Sequence, residues 1–110
     1  MSHRSAVTTH VLDTTRGRPA AGIAVRLSSA TSTLDEKVTD ADGRIGRLGP
    51  ADLPAGEYQL TFETGDYFAA QGVETFHPRV RLDFRIADPA QHYHVPLLLS
   101  PFAYSTYRGS

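Results

Sequence analysis

The chain of 110 residues has no cysteine. Neither a disulfide frame nor a thiolate metal site is available, so packing alone must hold the fold, as suits a reducing compartment. Long apolar runs are missing too. Met1 to Val7 holds no stretch of signal-peptide length, and no later segment approaches the roughly 20 apolar residues of a spanning helix. The chain is therefore expected to be soluble, without membrane partners. It ends in Arg108-Gly109-Ser110 and not in a Ser-Lys-Leu-type peroxisomal address, which makes a bacterial-type cytoplasm the expected location. A surplus of one charge is also absent: Lys plus Arg number 11 against 12 for Asp plus Glu, a net charge of -1. That leaves no electrostatic footprint for nucleic acid or anionic lipid and favours a small, neutral partner. No Gly-rich phosphate loop, repeat, low-complexity tract or linker occurs, so residues 1–110 are expected to form one domain around one core.

What is present is alternation. Val7, Thr9 and Val11 alternate with Thr8, His10 and Leu12; Ile23, Val25 and Leu27 with Ala24, Arg26 and Ser28; Tyr58, Leu60 and Phe62 with Gln59, Thr61 and Glu63. Val80, Leu82, Phe84 and Ile86 alternate with Arg79, Arg81, Asp83 and Arg85, a strand with one charged face in water. Turn residues separate these runs at Arg16-Gly17-Arg18-Pro19, Asp42-Gly43, Pro54-Ala55-Gly56 and Asp88-Pro89. The pattern predicts an all-β sandwich or barrel. One helix is predicted over Thr64 to Gln71, with Thr64 as cap, Tyr67 and Phe68 inward and Gly72 at the stop. The segment His92 to Leu99 differs from the other strands. Tyr93, Val95, Leu97 and Leu99 share one face, His92, His94, Pro96 and Leu98 the other, and neither face carries a charge. A strand apolar on both sides is central in a two-layer structure or covered by another subunit, and in so short a chain oligomerisation is the economical explanation. His10 beside Leu12 has the same character, so the two strands are expected to meet at one interface.

General acid–base hydrolysis needs a positioned water, a base for its proton, and positive charge or donors where an oxyanion develops. His10, His92 and His94, on predicted strands among apolar neighbours, and Arg44, just after the Asp42-Gly43 turn, can supply these. Other readings stand beside this one. A lone strand histidine is commonly structural, and an arginine after a turn is commonly a solvated charge. His92 and His94 with His10 also have the makings of a three-histidine metal site. A serine-nucleophile triad around the terminal Ser110 has no support, because termini usually fray.

Thr9-His10-Val11-Leu12-Asp13-Thr14, Gly17-Arg18-Pro19-Ala20, Thr39-Asp40-Ala41-Asp42-Gly43-Arg44, Tyr58-Gln59-Leu60-Thr61-Phe62, His92-Tyr93-His94-Val95-Pro96-Leu97-Leu98-Leu99-Ser100-Pro101 and Tyr104-Ser105-Thr106-Tyr107-Arg108-Gly109-Ser110 together resemble the transthyretin-like family, in its 5-hydroxyisourate hydrolase branch. The middle motifs recur in many prealbumin-like modules; the histidines and the Tyr-Arg-Gly-Ser ending discriminate. The resemblance implies a two-sheet, prealbumin-like β-sandwich of about eight strands with one short helix. It implies hydrolysis of 5-hydroxyisourate to 2-oxo-4-hydroxy-4-carboxy-5-ureidoimidazoline in urate catabolism, with no cofactor and no metal, in a homotetramer whose active sites lie between dimers. It carries His10, Arg44 and His94 over as catalytic residues. His92, Tyr107, Arg108, Gly109 and Ser110, with His10 and Arg44, are expected at the substrate, and the Ser110 carboxylate is expected to orient a histidine or Arg44. The chain departs from the family at Phe76-His77-Pro78, where a tyrosine usually stands in the middle, so His77 is expected to serve packing or surface contact. The alternatives are a non-enzymatic small-molecule carrier of the same fold, a metallohydrolase using His10, His92 and His94, and a purely structural module.

Overall fold

A computed structural model describes residues 5–109. The elements run β1 (Val7–Asp13), β2 (Arg18–Pro19), β3 (Ala24–Ser28), β4 (Thr33–Val38), β5 (Arg44–Leu48), β6 (Gly56–Phe62), α1 (Thr64–Ala69), β7 (Val80–Ile86), β8 (Tyr93–Leu99) and β9 (Tyr104–Thr106). They form the expected two-sheet sandwich. One sheet is ordered β2-β1-β8-β9 with β5 also paired to β1, and the other β4-β3-β6-β7. β1 and β8 are the parallel pair, in register from Val7 opposite Tyr93 to Asp13 opposite Leu99. The two uncharged strand faces singled out in the sequence thus lie side by side.

Alternation explains the layers. Val7 and Val11 of β1, Val25 and Leu27 of β3, Leu60 and Phe62 of β6, Val80 and Ile86 of β7 and Leu97 of β8 all point between the sheets and are fully buried. Each such side chain contributes about 1.5–3 kcal/mol over the exposed state. The helix adds Phe68 to this core, and Tyr67 donates from its phenol to Asp13 Oδ2 over 2.7 Å. The other oxygen of buried Asp13 accepts from the Thr15 and Arg16 amides at 3.1 and 3.0 Å, closing the turn after β1. Burial first, and then the Asp13 carboxylate, raise the Tyr67 phenol above its usual range, so it remains a donor. Among the described residues no helix is long and apolar enough to cross a membrane.

The helix differs from its expected form at its start. Glu63, not Thr64, occupies the N-cap, with no side-chain cap bond. Buried Phe62 leads directly into the helix, which draws Thr64 inside, where its hydroxyl has no partner among the described residues. Glu63 instead reaches outward to Arg79 at 3.3 Å. The regular helix ends at Ala69. The chain leaves at Gly72, φ +67°, where the amides of Gly72 and Val73 bond back to the carbonyls of Ala69 and Phe68, both at 3.0 Å.

Gly43 sets the entry to β5. Its φ is +73°, a Cβ there would collide with the Val11 carbonyl oxygen, and its own carbonyl accepts from the Val11 amide at 2.7 Å. Asp40 Oδ1 gathers the amides of Asp42 and Arg44 at 2.9 and 3.0 Å, completing the turn. Gly17 has a similar φ of +67° but open space around it. Gly17→Ala should therefore cost only the left-handed strain, about 1–2 kcal/mol, whereas Gly43→Ala adds overpacking of about 1–3 kcal/mol. Urea unfolding at matched protein concentration checks this ordering; equal losses at both positions would refute the close-approach account.

Candidate active site

The site is assembled on the outer face of the β5-β1-β8 sheet, opposite the core. Antiparallel pairing of β1 with β5 sets His10 beside Arg44, and parallel pairing with β8 sets His10 beside Pro96 and Thr8 beside His94. Every second residue of these strands faces outward, so Thr8, His10, His92 and His94 share one surface. Thr8, Arg44, Gly46, His92 and His94 line a shallow cleft there. A Cβ on Gly46 would meet nothing within 4 Å, so the absence of a side chain leaves this floor open.

His92 and His94 are each held by side-chain hydrogen bonds. Thr8 Oγ1 lies 2.9 Å from His92 Nε2 and 2.8 Å from His94 Nδ1, and His92 Nδ1 lies 3.0 Å from the Ser5 carbonyl oxygen. The half-buried His94 backbone carbonyl accepts from the Gly109 amide at 2.8 Å. Gly109 packs flat against the imidazole, since a Cβ there would come within 2.6 Å of His94 Cδ2. The pKa of His94 is pushed below the ordinary 6.5, first by burial, then by Arg44, His10 and His92, against a smaller opposing hydrogen bond with the Thr8 backbone. At neutral pH the ring is an uncharged base beside a permanent cation. That pairing can take a proton from water and steady a developing oxyanion.

Of the residues singled out in the sequence, Arg44, His92 and His94 line this cleft, His10 flanks Arg44 in register, and Gly109 abuts His94. Tyr107 and Arg108 lie elsewhere in the single chain, at a second cleft with Leu82, Phe84 and Tyr93 between β7 and β8. Arg108 stacks 4.2 Å over the Tyr93 ring and donates to Gln91 Oε1 at 2.9 Å. Ser110 lies outside the described residues. His77 sits edge-on to Phe76 and Tyr104, at 5.0 and 5.1 Å between ring centres, a packing role as expected. Among the described residues no three His, Cys, Asp or Glu side chains converge as a metal-ligand set; Thr8 lies against ring nitrogens of both His92 and His94. Thr8 itself escaped sequence reading. Threonine is an ordinary strand residue, and only the β1-β8 register reveals its position between two imidazoles.

The profile of the HIUase/Transthyretin family matches residues 7–109. The 5-hydroxyisourate hydrolase of Caulobacter vibrioides is 47% identical to this chain, over 96% of the chain and 99% of that protein. The solved structure of Klebsiella pneumoniae 5-hydroxyisourate hydrolase superposes with a TM-score of 0.88 at 48% identity, covering 94% and 98% of the two chains. Transthyretin from Sparus aurata superposes with a TM-score of 0.89 at 33% identity, covering 96% and 97%. The backbone thus resembles both equally, and the sequence identity is higher to the hydrolase.

The lowered pKa of His94 has a direct consequence. In the folded protein its ring should titrate with a midpoint below 6.5, remaining neutral through pH 7. Folding then favours the uncharged ring, so this contribution to stability is whole above the unfolded value and diminishes as pH falls below it. Histidine-resolved NMR titration measures the midpoint; a value at or above 6.5 would contradict the desolvated setting.

Proposed function

The chain belongs to the HIUase/Transthyretin family, and from that membership we propose that it is a 5-hydroxyisourate hydrolase, opening the substrate ring to 2-oxo-4-hydroxy-4-carboxy-5-ureidoimidazoline. The observation that carries this reading is the gathering of Arg44, His10 and neutral His94 on one sheet face, in a chain nearly half identical to relatives named for that activity. His94 takes a proton from water as its oxygen attacks a ring carbonyl. The guanidinium of Arg44 donates to the oxyanion. The ring C–N bond then breaks, the new carboxylate forms, and the proton held by the histidine goes to the departing nitrogen. His10, beside Arg44, helps hold the electron-rich ring. His92, Tyr107, Arg108, Gly109 and the Ser110 carboxylate complete the substrate-binding set of this proposal.

The proposal includes a homotetramer with active sites between dimers and a single domain over 1–110, working in the cytoplasm. Several features support the assembly. The cleft lies on an open sheet face that one chain does not close, and half-exposed Leu98 is paired with Leu12 further along the same two strands. Among the described residues β7 and β9 each pair on one side only. Phe76, Phe102 and Tyr104 are 69%, 60% and 40% exposed close to those edges, an apolar patch of the kind that marks association.

Substrate generated from urate with urate oxidase tests the reading at once. The protein should accelerate its decay, and His94→Ala should reduce the acceleration by about 10²–10⁴-fold and Arg44→Ala by about 10²–10³-fold. Decay at the spontaneous rate would sink the proposal, and ligand binding without turnover would leave the carrier reading in its place. Activity that survives exhaustive chelation separates it from the three-histidine metallohydrolase.

A further inference from the structure

We infer that Arg108 is a positioning residue: it pins the end of the chain along β8 and thereby holds Gly109 against the ring of His94. This rests on the reading of His94 as the base, and it gives Arg108 a task apart from contact with substrate. β9 pairs with β8 from Tyr104 opposite Leu99 to Thr106 opposite Leu97, and the same register, carried on without a shift, brings Gly109 opposite His94. The Gly109 amide donates to the His94 carbonyl at 2.8 Å. Directly opposed pairs that exchange hydrogen bonds recur at every second residue, so the next such pair toward β9 is Tyr107 with Pro96. Proline has no amide to donate. The ladder loses a bond there, β9 ends at Thr106, and Tyr107 is 58% exposed.

Arg108 supplies what the ladder lacks. Neighbouring side chains of an extended segment take opposite faces, so Arg108 turns toward Tyr93 while Gly109 meets His94. The guanidinium lies 4.2 Å from the centre of the buried Tyr93 ring, and it donates to Gln91 Oε1 at 2.9 Å and to the His92 carbonyl at 3.3 Å. One side chain is thus tied to each of the three residues that precede His94. Arginine suits this task because its planar fork can stack by its face and donate by its edge at once. Gly109 is the matching element. Without a Cβ, which would come within 2.6 Å of His94 Cδ2, its backbone lies against the imidazole and covers part of it from water. Burial is the first cause of the lowered pKa of that ring, ahead of Arg44, His10 and His92. Arg108 therefore acts on the base through Gly109.

The test uses the full-length protein, and its first two readings, amide exchange and histidine titration by NMR, need no turnover. Arg108 is exposed, so Arg108→Ala should remain folded and keep the wild-type oligomeric state. Its Gly109 amide should exchange with solvent roughly tenfold faster than in wild type, while amides of the β8-β9 ladder keep their protection. The His94 midpoint should rise toward 6.5 as the ring is uncovered, and the acidic limb of kcat/KM should move up with it. On the plateau kcat should fall about 10–100-fold. Arg108→Lys, which keeps the charge without the planar fork, should recover part of each change. A Gly109 amide equally protected in Arg108→Ala, or a His94 midpoint unmoved when that protection is lost, would overturn the inference. So would a changed oligomeric state, which would assign Arg108 to a subunit contact. Absence of turnover in the wild type would instead strike the hydrolase reading, while exchange and titration still decide whether Arg108 holds Gly109 in place.

Discussion

Parallel pairing of β1 with β8 is the contact on which the rest of the molecule depends. It joins the first and last thirds of the chain, residues more than 80 positions apart, along the full length of both strands. Beyond the strand ladder, the Tyr93 amide bonds to the Ala6 carbonyl at 2.8 Å, the Thr14 amide to the Leu99 carbonyl at 2.9 Å, and the buried Thr9 hydroxyl to the Val95 carbonyl at 2.6 Å. β1 is also the partner of β2 and β5, so it is the axis of its sheet. Without this pair neither the sheet nor the cleft exists. Such non-local closure is reached late and slowly in folding, because chain entropy is lost before the contacts form.

The same strands carry the core on one face and the proposed active site on the other. Val7 and Val11 face the core while Thr8 and His10 face out; Val95 and Leu97 face the core while His94 faces out. A rigid sheet whose inner face is densely packed is a good mount for groups that must be held to fractions of an ångström. The partial burial that lowers the basicity limit of His94 also keeps it unprotonated where it is needed, and Arg44 on the adjacent strand works in the same direction. Gly109 brings the far end of the chain against the imidazole, which gives the closing residues a structural task where a polar tail would otherwise fray.

Much of this was legible in the residues. β1, β3, β6 and β7 each have one buried face, and their alternation showed it. The uncharged second face of β8 and the His10-Leu12 face of β1 lie side by side in one sheet, and their burial by another subunit belongs to the proposed assembly. β4 gave no such signal, because Thr33 to Val38 is an edge strand wet on nearly every position, and β9 is exposed throughout. Thr64 was misread as a cap because a threonine before a helical run has that chemistry locally, whereas the burial of Phe62 and Thr64 is a tertiary fact. His10, Arg44 and His94 were recognisable through family likeness. Their mutual placement, the bridging by Thr8, and the separation of Tyr107 and Arg108 from His94 depend on strand register, which no local pattern encodes.

The central claim is that His94, neutral and fixed on the β1-β8 sheet face, is the base that activates water. The pH dependence of kcat/KM, with 5-hydroxyisourate prepared separately at each pH, tests it most directly because that ratio reports the ionisation of the free enzyme. The account predicts a single acidic limb on which activity rises with pH, with a midpoint below 6.5 that coincides with the titration of the His94 ring. A limb set by a different group, or a rate indifferent to His94 ionisation, would contradict it.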